Sequence, residues 1–358
     1  GTQNTATGVN SMLCNIDGID NTAMGVSALR CNTTGDRNTS IGLQSSYKTT
    51  GDDNTALGTC ALFQNTTASD NTAIGSLALA CNTTGAENTA LGLQAQRYGT
   101  TGNYNVALGA CTLGASDVNT GDSNIAIGRK AMFDNTSGAK NVGVGSSALE
   151  SNTTACCNTA VGHVAMQLNT TGHSNTALGY CSLRGNTTGD NNTAIGHSSM
   201  YEGTTTGDFN TMVGVSSGRK MTSGTQNTAS GVNAMESNTT GASNVAMGMS
   251  ALTANTTGGA NVAIGATTGD AITTGSNNVA LGFEAAGKLT TGGDNVAVGR
   301  AALLDTTTQS GNVAIGVEAL ENNTADENVA VGKQALNDNT TGSVNVAIGS
   351  YALSKNTT

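Results

Sequence analysis

The chain has 358 residues, with 49 glycines, no proline, no tryptophan and 3% aromatic residues, which excludes a bulky globular core. Charged residues are 11% and the net charge is −10, which excludes both the basic stripe of a nucleic-acid footprint and charge-driven disorder. No apolar run approaches the ~20 residues of a membrane-spanning helix, so no membrane span is expected.

An internal repeat organises everything else. Aligned on the Asn of Asn-Thr-Ala-x-Gly, 21 units run from Asn4, Asn21 and Asn38 to Asn312, Asn328 and Asn345, and 16 of the 20 intervals are 17 residues. The other intervals, of 16, 18 or 19, read as small changes in turns. With no compositional break or linker, residues 1–358 read as a single continuous repeat array.

Within a unit numbered from its Asn, position 5 is Gly in all 21 units and position 4 is Ile, Leu, Val or Met in 19. Position 3 is nearly always Ala, position 9 is Leu or Met in 16 units, and positions 12–15 usually read Asn-Thr-Thr-Gly. Glycine at this density is incompatible with helical repeats, at ~1 kcal/mol for each interior position. Short pieces bounded by Gly and Asn, in which Thr, Val and Ile alternate with Ala, predict strands. Two strands per unit, at positions 2–5 and 7–10, with two turns make one rung of an all-β parallel β-solenoid, or β-roll, of about 21 rungs.

Alternation puts positions 2 and 4 on one face of the first strand and the Ala of position 3 on the other. The reading is that positions 4 and 9 wall a thin core, with the Ala of positions 3 and 8 facing out. Gly at position 5 is expected to supply a positive φ or a close backbone approach. The Asn of position 1 is expected to bond its counterparts one rung away, or simply to form a turn. At ~4.8 Å per rung the array would be a rod of roughly 100 Å.

The opening Gly1–Asn4 recurs as Gly224–Asn227, and the closing Lys355–Thr358 is also ordinary repeat sequence. No cap is visible at either end. The expectation is therefore a segment of a longer rod, or copies stacked head to tail in unbroken register.

No catalytic, cofactor or metal site is apparent. The three histidines, His163, His173 and His197, belong to no Ser–His–Asp constellation, and no phosphate-binding loop or zinc or calcium signature occurs. The acids near Asp52 and Asp190 read as solvated turn residues. Cys14 and Cys31 occupy the same position of adjacent rungs, ~4.8 Å apart, within reach of a disulfide. Cys156, Cys157 and His173 cluster in adjacent rungs but lack a fourth zinc ligand. Cys60, Cys111 and Cys181 share position 7 of separated rungs and read as free small side chains. The Asn-Thr-Thr turn creates glycosylation sequons at Asn32, Asn65, Asn82, Asn135, Asn152, Asn169, Asn186, Asn238, Asn255, Asn339 and Asn356. The same residues are also good turn formers.

The stretches "NVAIGVEAL" from Asn312, "NVAVGKQAL" from Asn328 and "NVAIGSYAL" from Asn345 resemble the head repeats of trimeric autotransporter adhesins. The longer pattern, with its added Asn-Thr-Thr-Gly turn, is similar to repeat arrays in tail-fibre-like proteins of phages, algal viruses and bacteria. The resemblance covers essentially the whole chain. It implies a parallel β-roll and a surface fibre or host-contacting appendage, and it carries no catalytic residues. The function expected is thus a structural or adhesive extracellular fibre on a cell surface or virion, not an enzyme. Its partners would be further copies of itself and a cell-surface receptor or glycan. The alternative is an ice-binding or glycan-binding solenoid, using the Thr ranks at positions 13 and 14.

Overall fold

The computed structural model describes residues 1–114 and 118–357, so Thr358, the last letter of the expected head-to-tail joint, lies outside the described residues. Among the described residues there are 21 strands of three residues each and no helix. The chain is an all-β parallel solenoid with one strand per rung of about 17 residues.

Two compact units share this construction, Gly1–Leu178 and Gly179–Thr358. The first contains β1 (Thr5–Thr7) to β11 (Thr176–Leu178), each strand paired in parallel with the next in sequence. The second contains β12 (Thr193–Ile195) to β21 (Val346–Ile348), built the same way. Pairing is strictly position to position. β15 (Val245–Met247) lies on β16 (Val262–Ile264) with Val245 opposite Val262, Ala246 opposite Ala263 and Met247 opposite Ile264.

The core is the reverse of the sequence reading at the strand. Ala at position 3 points in: Ala56, Ala126, Ala246 and Ala314 are all fully buried. The residues at positions 2 and 4 point out, and Met24, Leu57, Met247 and Ile264 are among the exposed large apolar residues. The interior explains why. Leu or Met at position 9 reaches across from the opposite wall and leaves room for no more than a methyl group at position 3. Where position 3 is Gly143, an added Cβ would already lie 3.1 Å from Met132 Cε.

The second expected strand, at positions 7–10, is also absent. Position 9 does face inward, as read, but so does the Ala at position 8 beside it; Ala251 and Leu252 are both fully buried. Strand alternation would send those neighbours to opposite faces. Left-handed residues at positions 7 and 9, such as Ser250 (φ 59°) and Leu252 (φ 51°), break the alternation. Side-chain-bearing residues reach this region at a cost of ~1–2 kcal/mol each. Rung-to-rung hydrogen bonds hold them there: Ser250 N–H donates to Val232 O at 2.9 Å and Leu252 N–H to Thr268 O at 3.1 Å.

Gly at position 5 meets both expectations. Gly265 has φ 138°, and a Cβ there would stand 2.6 Å from the carbonyl oxygen of Gly282, its counterpart one rung on.

Candidate functional site

Two asparagine columns, at positions 1 and 12, run through the interior of each unit. Asn244 is fully buried. Its Nδ2 donates to Asn227 Oδ1 at 3.1 Å and to Gly258 O at 2.8 Å, while its Oδ1 accepts from the Asn261 N–H at 2.9 Å. Asn255, at position 12, donates to Asn238 Oδ1 at 3.2 Å and to the same Gly258 carbonyl at 3.0 Å. Where position 12 is Asn, as in this rung, both columns are tied to one buried carbonyl. The ladder read for position 1 is present, and a second one stands beside it.

The second ladder decides where the sequon asparagines sit. Asn32, Asn65, Asn82, Asn135, Asn152, Asn169, Asn186, Asn238, Asn255 and Asn339 are all fully buried. The Nδ2 that would carry a glycan is occupied in donating inside, as for Asn32 to Asn15 Oδ1 and Gly35 O, or Asn82 to Asn65 Oδ1 and Gly85 O. A glycan on that nitrogen would have to displace these bonds and force the amide out of the interior at each of the ten positions. Asn356 is half-buried, and its Nδ2 donates to Asn339 Oδ1 at 2.9 Å.

The position-13 threonines are similarly engaged. Thr239, Thr256 and Thr273 each donate Oγ1 to the backbone carbonyl of the next threonine in the column, at 3.0–3.2 Å. The hydroxyl rank that an ice-binding face would present is thus partly turned into the fold, leaving position 14, as at Thr257, exposed.

Cys14 and Cys31 stand in adjacent rungs as read, each as a free thiol. Cys60 and Cys111 make long contacts through Sγ with Gln44 and Gln94 Oε1, at 3.8 and 3.9 Å. Burial pushes the Cys81 thiol pKa up. Cys157 Sγ lies 3.3 Å from Cys156 Sγ, and the Cys156 N–H donates to His173 Nδ1 at 3.0 Å. Among the described residues no three His, Cys, Asp or Glu side chains come together to hold a metal ion. No helix there is long and apolar enough to cross a membrane.

Position 10 carries short surface ladders. In the first unit the Arg30 guanidinium lies 5.6 Å from the Tyr47 ring centroid, and Tyr47 stacks on Phe63 at 5.3 Å. In the second unit Arg219 bridges Glu202 and Glu236, and the hydrogen bond to Glu202 leads the causes that raise the Arg219 pKa.

The feature that sequence reasoning missed is the outer face of the strands. Positions 2 and 4 hold only Thr, Val, Ile, Leu, Met or Ser, with no charge in any unit. Met24 and Met247, one in each unit, are 49% and 46% exposed. Position 6 extends the strip with Val26, Leu43 and Leu93 in the first unit and Val232, Met249 and Phe283 in the second, all exposed. The signal was the alternation itself, read with its two faces exchanged.

No known protein family matches the chain, and no curated protein is similar to it.

Proposed function

We propose that the protein is a structural or adhesive element of an extracellular fibre, and that it associates side by side with further copies through the outer face of its strands. The observation that carries this reading is the outer strand face, uncharged at positions 2 and 4 in every unit and widened by exposed apolar residues such as Leu43, Leu93, Met249 and Phe283 at position 6. All-parallel sheets normally have both faces covered, and an exposed apolar patch beyond a few hundred Å² is a contact surface. Eleven strands at ~4.8 Å, each contributing five residues of width, offer roughly 850 Å² in the first unit, close to the ~800 Å² per partner of a stable interface. A second copy has the same rung spacing, so its side chains stay in step with this face along its length. The variable columns at positions 10, 11, 16 and 17 remain as the surface that would meet a receptor or glycan. Among alternatives, ice binding finds support in the exposed position-14 threonines, but not in the engaged hydroxyls of position 13.

Sedimentation and negative-stain imaging test the proposal. The wild-type protein should form oligomers or fibres at micromolar concentration. Met247→Lys, Ile264→Lys and Leu281→Lys combined should return it to monomers with unchanged circular dichroism. A wild-type protein that stays monomeric to ~100 μM, far above the Kd of a standard-size interface, defeats the reading.

A further inference from the structure

Cys156 and Cys157 occupy positions 16 and 17 of the unit that starts at Asn141. In an extended chain neighbouring side chains point to opposite faces, which would hold two vicinal thiols apart. Here Cys157 is left-handed, with φ 63°, and the turn brings the two sulfurs to 3.3 Å. The backbone is held on both sides while they approach. The Cys156 N–H donates to His173 Nδ1 on the following rung, and the Cys157 N–H donates to Ala139 O on the preceding one, at 3.2 Å. Cys157 is exposed and Cys156 half-buried, so one thiol is open to attack and the other waits beside it.

We propose that Cys156 and Cys157 form a reversible two-electron redox site that a low-molecular-weight disulfide, such as oxidised glutathione, closes to a vicinal disulfide. The Cys157 thiolate attacks one sulfur of the small disulfide, a mixed disulfide forms, and the first small thiolate leaves. The Cys156 thiolate then attacks Cys157 Sγ and expels the second. The two protein thiols lose two electrons and two protons; the small disulfide takes them up and leaves as two thiols. Closing the pair needs an approach of about 1.3 Å, to the ~2.05 Å of a disulfide bond. Three other cysteines sit in different surroundings: Cys60 and Cys111 face glutamines, and burial raises the Cys81 pKa, which keeps it from reacting as a thiolate.

Equilibrating the full chain with mixtures of reduced and oxidised glutathione, quenching in acid, alkylating and weighing the peptide that holds both residues tests the site. The expected product is a peptide lighter than the dithiol by two hydrogens, unalkylated at both positions and restored by reductant. Cys156→Ser should stop at a glutathione adduct on Cys157. Three results would overturn the proposal. One is a lasting adduct on wild-type Cys157. Another is double alkylation of the wild type at glutathione ratios that modify the Cys156→Ser variant. The third is pairing of either residue with a different cysteine.

Discussion

Met212 stands in the space that Gly218 leaves open: a Cβ on Gly218 would lie 2.8 Å from Met212 Sδ. Position 3 is Ala in 18 units and position 9 is Leu or Met in 16, yet this one rung exchanges small for large at both places. Its position 12 also carries the buried Met221 in place of Asn. The same conservation of volume recurs nearby. A Cβ on Gly269 would meet Ile272 Cδ1 at 2.9 Å, and Ala286 is accompanied by the buried Leu289. In these rungs the residues that fill the interior trade places within it.

Met212→Ala should leave a cavity and cost about 2–5 kcal/mol of local stability. Gly218→Leu alone should clash with Met212. The double variant should recover most of the loss, because Leu252 shows that position 9 holds Leu at φ 51°. Amide exchange of residues 200–235 in the three variants measures this; a double variant no better than either single one removes the shared-volume account.

Ala263→Val and Ile264→Asp separate the two faces of β16. Ala263 is 1% exposed, and two extra methyl groups there should cost about 1–3 kcal/mol. Ile264 is 40% exposed, so a carboxylate at that position stays in water and the rung should survive, although side-by-side association should weaken. Protease resistance ranks the pair, with Ala263→Val the more easily cut.

Asn244→Asp replaces a buried donor by a carboxylate facing Gly258 O and Asn227 Oδ1, two acceptors. Leaving a buried charge unpaired should cost about 3–5 kcal/mol at neutral pH. Burial raises the pKa of that carboxyl above its unfolded value, so the protonated form is favoured in the fold. The variant should therefore be most stable below pH ~4 and lose stability as pH rises. Thermal midpoints at acidic and neutral pH give the sign; an equal deficit at both would mean that charge is not the cause.

Asp270 shows the same sign in the natural sequence. Burial pushes its carboxyl pKa up, against hydrogen bonds from its own N–H and that of Ala271, with Glu284 adding to the rise. The stability it contributes is fully present below the ordinary Asp value of 3.8 and is lost as pH rises through the raised pKa. Asp270→Asn should flatten this part of the pH profile and slightly raise the thermal midpoint at pH 7. A variant whose profile parallels the wild type would show that the half-buried carboxyl does not titrate in this range.

The 17-residue period, the Gly at position 5 and the paired Asn and Gly of the turn were enough, without coordinates, to determine a parallel solenoid. Each of these is a backbone requirement: a positive φ, a close approach and a polar group that repeats at the rung spacing. What the tertiary structure alone decided was which way each rung faces. A strand of three residues, Val262–Ala263–Ile264, has the same alternation whichever side is inside, and hydrophobicity favours burying Val and Ile. The choice falls to Ala263 because Leu and Met at position 9, carried inward by a left-handed turn that no propensity scale anticipates, already fill the space. The same turn buries Ala251 beside Leu252. The ladder at position 12 likewise converts surface-looking Asn-Thr-Thr sequons into buried hydrogen-bond donors, since amides stacked rung on rung bond one another and the turn carbonyl and so can leave water without losing partners.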